Sequence, residues 1–285
     1  MRGGYFHYAL GERLAAVLPK QALLRLAQGL AKVYASSFSP DLGALTENMR
    51  RALPPSASER EITESAKKVI YNFTSYLVDF FYTQELSLDF IKKNVETHGL
   101  EKLDTALQRG KGVVIASAHL GNWEMGGMTI AKMGYPVYGI ALKHKVSKID
   151  SLFQRRRDES GLKIIFMGHS LRSCFRVLKE NRILALNADR LFGEAGVSVN
   201  FMNREVSFPK GIWRLSQTTG AQVLPCFFVM RGFNRYVLEV QSPLEPSSEE
   251  GMIQQFASRL EEKIRQYPTQ WFIFQRFWES PEWPI

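Results

Sequence analysis

Only two cysteines, Cys174 and Cys226, occur in the 285 residues, and they lie far apart. One sits in a helix-like run and the other in an apolar segment. That placement argues against a disulfide framework and reads as two buried thiols in a reducing compartment. Long apolar runs are also missing: none approaches the roughly 18 residues that a membrane-crossing helix needs. The start shows no apolar stretch followed by a small-residue cleavage site, so no secretory signal is expected. Paired Cys/His zinc spacing, an RNA-binding signature, a leucine-zipper array, internal repeats and low-complexity tracts are absent too. His7, His98, His144 and His169 share no metal-ligand spacing, so no metal and no cofactor is expected. Contact with a membrane, if made, is expected at its surface.

Hydrophobic residues make up 45% of the chain and charged ones 23%, enough for a substantial core. Lys and Arg number 37 against 28 Asp and Glu, a net charge of +9. Such a balance attracts anionic partners. With no nucleic-acid signature beside it, the expected partner is an acidic lipid, a phosphorylated substrate or an acidic carrier, and not nucleic acid.

Residues 5–35 read as two helices broken near Pro19. Leu14, Val17, Leu18, Leu23, Leu26, Leu30 and Val33 supply apolar faces, and Arg13, Lys20, Arg25 and Lys32 accompany them. Glu12 is the only acid before Asp41. A basic amphipathic helix suits an anionic bilayer, and equally the surface of the protein's own body. Ser58 and Glu61 form a capping box for a long helix whose apolar stripe runs from Ile62 through Phe73 to Phe81.

Beyond about residue 95 short β-rich runs alternate with helical ones. Strands are expected at 113–118, 137–142, 163–167, 183–187 and 223–229, and helices at 122–133, 170–179, 210–219 and 249–267. Residues 197–208 read as a hairpin or lid. The pattern predicts an N-terminal helical, membrane-facing segment (1–90) followed by one α/β body (91–285), its mixed central sheet flanked by helices.

The most informative segment is Ser117-Ala118-His119-Leu120-Gly121-Asn122-Trp123-Glu124, where an apolar strand ends and a helix begins. Strand ends of this kind are frequent sites of function in α/β sheets. On one continuous helix His119 and Glu124 would point about 140° apart, so they pair only across a turn that Gly121 permits. In that arrangement Glu124 orients the imidazole and His119 takes a proton. Gly168-His169-Ser170-Leu171-Arg172 lacks the closing glycine of a nucleophile elbow. Direct attack by an acceptor hydroxyl is therefore expected in place of a covalent acyl-enzyme.

HLGNWE, at 119–124, resembles the H-x4-D/E motif of the bacterial lipid A biosynthesis acyltransferases, within the glycerolipid acyltransferase superfamily. The likeness extends over about residues 45–280. Gly99-Leu100-Glu101 and Gly110-Lys111-Gly112 resemble the approach to the catalytic strand. Arg155, Arg157 and Gly161 resemble its basic helix, and Asn187-Ala188-Asp189-Arg190 a later Asp-centred motif. Thr219-Gly220-Ala221 and Pro268-Thr269-Gln270-Trp271 match the downstream signatures. Arg190 departs from the pattern, because relatives commonly carry Gln there.

The resemblance implies His119 as general base, Glu124 as its partner, and Asn122 and Trp123 as pocket floor. It further implies that Arg155, Arg157, Asp189 and Arg190 contact substrate. The implied donor is acyl carrier protein or acyl-CoA, and the implied acceptor a phosphorylated glucosamine lipid among anionic membrane lipids. The place implied is the cytoplasmic face of the bacterial inner membrane, with peripheral or monotopic attachment. Alternatives are acylation of a phosphatidylinositol mannoside or a lysophospholipid, thioester hydrolysis, and a non-catalytic membrane adaptor.

Overall fold

The structure is a computed structural model that describes residues 5–36, 40–144, 146–167, 171–191 and 196–279. Gly168, His169 and Ser170, the first three residues of the Gly168–Arg172 segment read above, lie outside the described residues. Helices α1 (Tyr5–Val17), α2 (Lys20–Ser36), α3 (Pro40–Ala52) and α4 (Glu59–Phe81) come first, then α5 (Leu88–Asn94), β1 (Val95–His98) and α6 (Leu100–Gln108). The body continues with β2 (Val113–Ser117), α7 (Trp123–Lys132), β3 (Val137–Ala141), α8 (Ser147–Ser160), β4 (Lys163–Phe166), α9 (Leu171–Lys179) and β5 (Ile183–Asn187). It closes with β6 (Gly196–Phe201), β7 (Arg204–Pro209), α10 (Gly211–Thr219), β8 (Gln222–Gly232), β9 (Arg235–Val240) and α11 (Glu249–Gln266).

The central sheet has seven strands in the order β1-β9-β8-β2-β5-β3-β4, and all neighbours are parallel except β8 and β9. This is the mixed sheet flanked by helices that the alternating pattern predicts. The helix break at Pro19 is observed, and the Ser58–Glu61 capping box is formed in both directions. Residues 196–209 form an antiparallel hairpin, turned at Met202 and Asn203, both with positive φ. The short strand β1 and the hairpin partner β9 escaped the sequence reading.

The sheet is apolar on both faces. Val114, Ala116, Leu184 and Val223 look toward one cluster, which holds α9, α10, α11 and the inner faces of α2, α3 and α4. Val113, Ile115, Ile183 and Leu224 look toward another, closed by α6, α7, α8 and residues of α1, α2 and α4. Burial on two faces explains why these strands read as continuous apolar runs.

The aromatic stretch after α11 is tied inward by Asn48, a buried residue of α3. Its amide nitrogen donates to the carbonyls of Ile273 (2.9 Å) and Gln275 (2.8 Å), and its oxygen accepts from the Phe277 amide (3.0 Å). Asn48→Ala strands these backbone groups away from water and is expected to cost about 2–4 kcal/mol. Chemical denaturation checks this: a midpoint unchanged from the parent would show that the stretch is held by its rings alone.

Candidate active site

β2 is buried along its length, and Ala118 carries the chain to His119 at the strand's C-terminal end. The loop that follows is held on both sides. The His119 carbonyl accepts from the Phe272 amide (2.8 Å), and the Gly121 amide donates to the Gln270 carbonyl (2.9 Å). The Asn122 amide donates to the Phe228 carbonyl (2.8 Å). Gly121 has φ +65°, and a Cβ there would stand 2.1 Å from the Phe228 carbonyl oxygen. Only glycine fits so close an approach.

Beside this loop β5 runs parallel to β2, with Ser117 opposite Asn187. The Ala188 amide donates to the Ser117 carbonyl (2.8 Å), which extends the pairing to the residue before Asp189. The Asp189 carboxylate is completely buried and takes two bonds from one residue. Oδ1 lies 2.8 Å from His119 Nδ1, and Oδ2 accepts the His119 backbone N–H at 2.9 Å. Burial by itself raises a carboxyl pKa, but the charge and hydrogen bonds of His119, with Arg190 nearby, hold Asp189 below its ordinary value. An ionised carboxylate at Nδ1 keeps the proton on that nitrogen, so proton uptake falls to Nε2.

Spacing leads to Glu124 as the partner of His119, whereas the carboxylate that the structure sets at His119 Nδ1 is that of Asp189. Glu124 stands at the second position of α7 and turns to α8. There Arg157 grips it at both ends, Nε to Oε2 at 3.0 Å and Nη2 to Oε1 at 2.5 Å. The guanidinium also lies over the Phe153 ring, 5.4 Å from its centroid. A fork-to-fork pair of this kind fixes orientation as well as charge.

Trp123 stands between the two charge systems, edge-on to the His119 ring (centroids 5.0 Å) and stacked on Tyr76 of α4 (4.7 Å). Phe272 joins Trp123 and Tyr76, and Phe73 and Phe274 extend the ring cluster outward. Burial first and the Glu124 charge second raise the Tyr76 hydroxyl well above its ordinary pKa, so it remains a neutral phenol.

The other expected contacts are distributed differently. Asn122 is fully buried behind the loop, where its side chain caps α7 through the Met125 amide (3.1 Å). Arg155 is half-exposed and ion-paired to Glu12 of α1. Arg190 reaches the C-terminal stretch, bonding Gln275 Oε1 and lying over Phe277. The sequence reading places Phe73 in the Ile62–Phe81 stripe but does not single out Tyr76, on which Phe73 stacks (5.3 Å). Their signal was the aromatic spacing in α4, which periodicity alone assigns to packing.

The family model described as "Bacterial lipid A biosynthesis acyltransferase" matches residues 2–280. The phosphatidylinositol mannoside acyltransferase of Mycobacterium tuberculosis (strain ATCC 25618 / H37Rv) is 27% identical over 283 residues, 95% of this chain and 87% of that protein. Its counterpart in Mycolicibacterium smegmatis is 26% identical over 285 residues, covering 95% and 90%. The lipid A biosynthesis palmitoleoyltransferase of Escherichia coli (strain K12) is 24% identical over 197 residues, covering 67% and 64%.

Asp189→Asn is expected to lower kcat by about 10²–10⁴-fold with little change in KM, and steady-state kinetics checks it; a loss below about threefold refutes the pairing as functional. The same variant tests the linkage of acid stability. A carboxyl whose folded pKa is depressed stabilises the fold above its unfolded pKa of about 3.9, and the contribution is lost as pH falls through the lower folded value. Unfolding followed from about pH 6 to 3 is therefore expected to show a shallower acid loss in Asp189→Asn than in the parent.

Proposed function

The chain belongs to the bacterial lipid A biosynthesis acyltransferase family, and on that premise we propose that it moves a fatty acyl group from a carrier thioester to a hydroxyl of a glycosylated lipid at an anionic bilayer surface. The observation that carries this reading is the His119–Asp189 pair, joined at 2.8 Å at the end of β2 beside the exposed side of Trp123.

In the proposed step the acceptor hydroxyl sits against His119 Nε2, which removes its proton as the oxygen attacks the thioester carbonyl. The imidazolium so formed is held by Asp189. When the tetrahedral intermediate collapses, the C–S bond breaks and the proton passes from Nε2 to the departing thiolate. Glu124 and Arg157 act as a wall that sets α7 against α8 and keeps Trp123 beside the imidazole. The half-exposed Phe73 and Phe274 rings line the approach of the acyl chain.

The acceptor class follows from what the relatives' names have in common. Phosphatidylinositol mannoside and lipid A are both sugar-bearing lipids, so the acceptor proposed is a hydroxyl of a glycolipid. The mannoside type is favoured by alignment along 95% of this chain, against 67% for the lipid A transferase. Donor candidates are acyl carrier protein and acyl-CoA.

Among the described residues no helix is long and apolar enough to cross a membrane. α1 and α2 instead expose Phe6 (71%), Val17 (74%), Leu26 (48%) and Leu30 (66%) between the exposed cations Arg13, Arg25 and Lys32. Glu12, the one acid there, is taken up by Arg155. Apolar side chains interleaved with uncompensated positive charge match an anionic lipid surface, and peripheral seating on that face is proposed.

Lipid mass spectrometry with labelled donor tests the reaction: the wild type is expected to add one acyl mass to a glycolipid, and His119→Ala to lose about 10²–10⁴-fold of that rate. Free fatty acid without acylated lipid, or equal products from both proteins, would overturn it. For the seating, Leu26→Ser/Leu30→Ser is expected to weaken co-sedimentation with anionic vesicles by about tenfold or more. Unchanged co-sedimentation would remove that face from the proposal.

A further inference from the structure

Lys20, the first residue of α2, is almost wholly buried, an expensive place for an ammonium group. Its Nζ reaches Asp79 Oδ1 of α4 at 2.8 Å, Asn234 Oδ1 at 2.6 Å and the Tyr236 hydroxyl at 3.2 Å, among the rings of Phe90, Phe233 and Tyr236. Asp79 is buried as well, and its other oxygen accepts from Asn122 Nδ2 at 3.3 Å. Asn122 caps α7 and closes the loop that begins at His119. Three side chains thus connect the elbow between α1 and α2 to the loop of the general base.

The elbow faces two ways. Val17 is among the most exposed apolar side chains of the described residues, while Lys20, three positions on, points into the protein. Leu18, between them, gives its carbonyl to the Tyr82 hydroxyl just past α4, so the turn cannot move without disturbing that helix. An apolar pair of similar size would join α2 to α4 without the burden of two buried charges. Asn122 is already satisfied as a helix cap, yet it also turns an amide hydrogen toward the ion pair.

We propose that Lys20 and Asp79 are positioning residues that couple the seating of the α1–α2 elbow on lipid to the placement of the His119 loop, so that turnover is faster on a bilayer than on dispersed acceptor. The coupling rests on the membrane seating proposed above. Lipid contact at Val17 favours one setting of the elbow, the ion pair passes that setting to Asn122, and the α7 cap holds His119 and Trp123 in register. Linkage of this kind between two sites commonly amounts to about 5- to 100-fold.

The test compares the wild type with Lys20→Met/Asp79→Asn, which removes both charges together while the new carboxamide still offers an oxygen to Asn122. Both are assayed with the same acceptor, in anionic vesicles and monodisperse in detergent. The wild type is expected to show kcat about 5- to 100-fold higher on vesicles. The variant is expected to co-sediment with vesicles like the wild type and to keep its KM, while the vesicle-to-detergent ratio of kcat falls toward one. A preserved ratio overturns the coupling, and so does a wild type with no ratio to lose although it binds vesicles. A wild type that fails to co-sediment overturns the membrane seating itself, which separates the two failures. Hydrogen exchange of the wild type gives a result independent of the variant's folding: amides of residues 119–125 are expected to gain protection when vesicles are added. Unchanged exchange there with binding intact overturns the proposal.

Discussion

The site depends on one register, the parallel pairing of β2 with β5. Ser117 lies opposite Asn187, and two residues beyond each stand His119 and Asp189. A shift by one residue would turn every side chain of β5 to the other face and carry the carboxylate away from the imidazole. Register here is enforced by burial on both faces: Val114 and Ile115 of β2, with Ile183 and Leu184 of β5, belong to clusters on opposite sides of the sheet. The core therefore aligns the His119–Asp189 pair, and the depressed pKa of Asp189 is the electrostatic expression of that alignment.

Around the pair, cations and carboxylates are consumed internally to a degree that net charge does not suggest. Arg155, Arg156 and Arg157 form a basic run in sequence, yet each meets a carboxylate of this chain, Glu12, Glu12 with Glu159, and Glu124 in turn. Their effect is to pack α8 against α1 and α7. The exposed positive charge comes instead from Arg13, Arg25 and Lys32, on helices whose one acid, Glu12, is already paired with Arg155.

Much of this was legible in the sequence. The ends of β5, the hairpin of β6 and β7, the break at Pro19 and the Ser58 cap follow from local patterning, and His119 stands where a strand yields to a helix. Asp189 was legible as a member of an Asp-centred motif but not as the partner of His119. Strand order is a property of long-range packing, and nothing near residue 119 states that β5 lies next to β2. The five-residue spacing to Glu124 offered a nearer carboxylate, but Arg157, 33 positions away, holds it. Lys20 looked like one more cation of an amphipathic helix, because a buried ammonium leaves no mark in periodicity.

The clasp on the His119 loop also bears on how the protein is made. Two of its backbone bonds come from Gln270 and Phe272, which leave the ribosome long after β2, β5 and the His119–Asp189 pair. A growing chain can build the sheet and bring imidazole to carboxylate, yet of the three backbone bonds that hold the loop only the one from Asn122 to Phe228 can form before the Pro-Thr-Gln-Trp segment emerges. The loop is thereby fastened in full only after the sheet and helices α1 to α4 have been made.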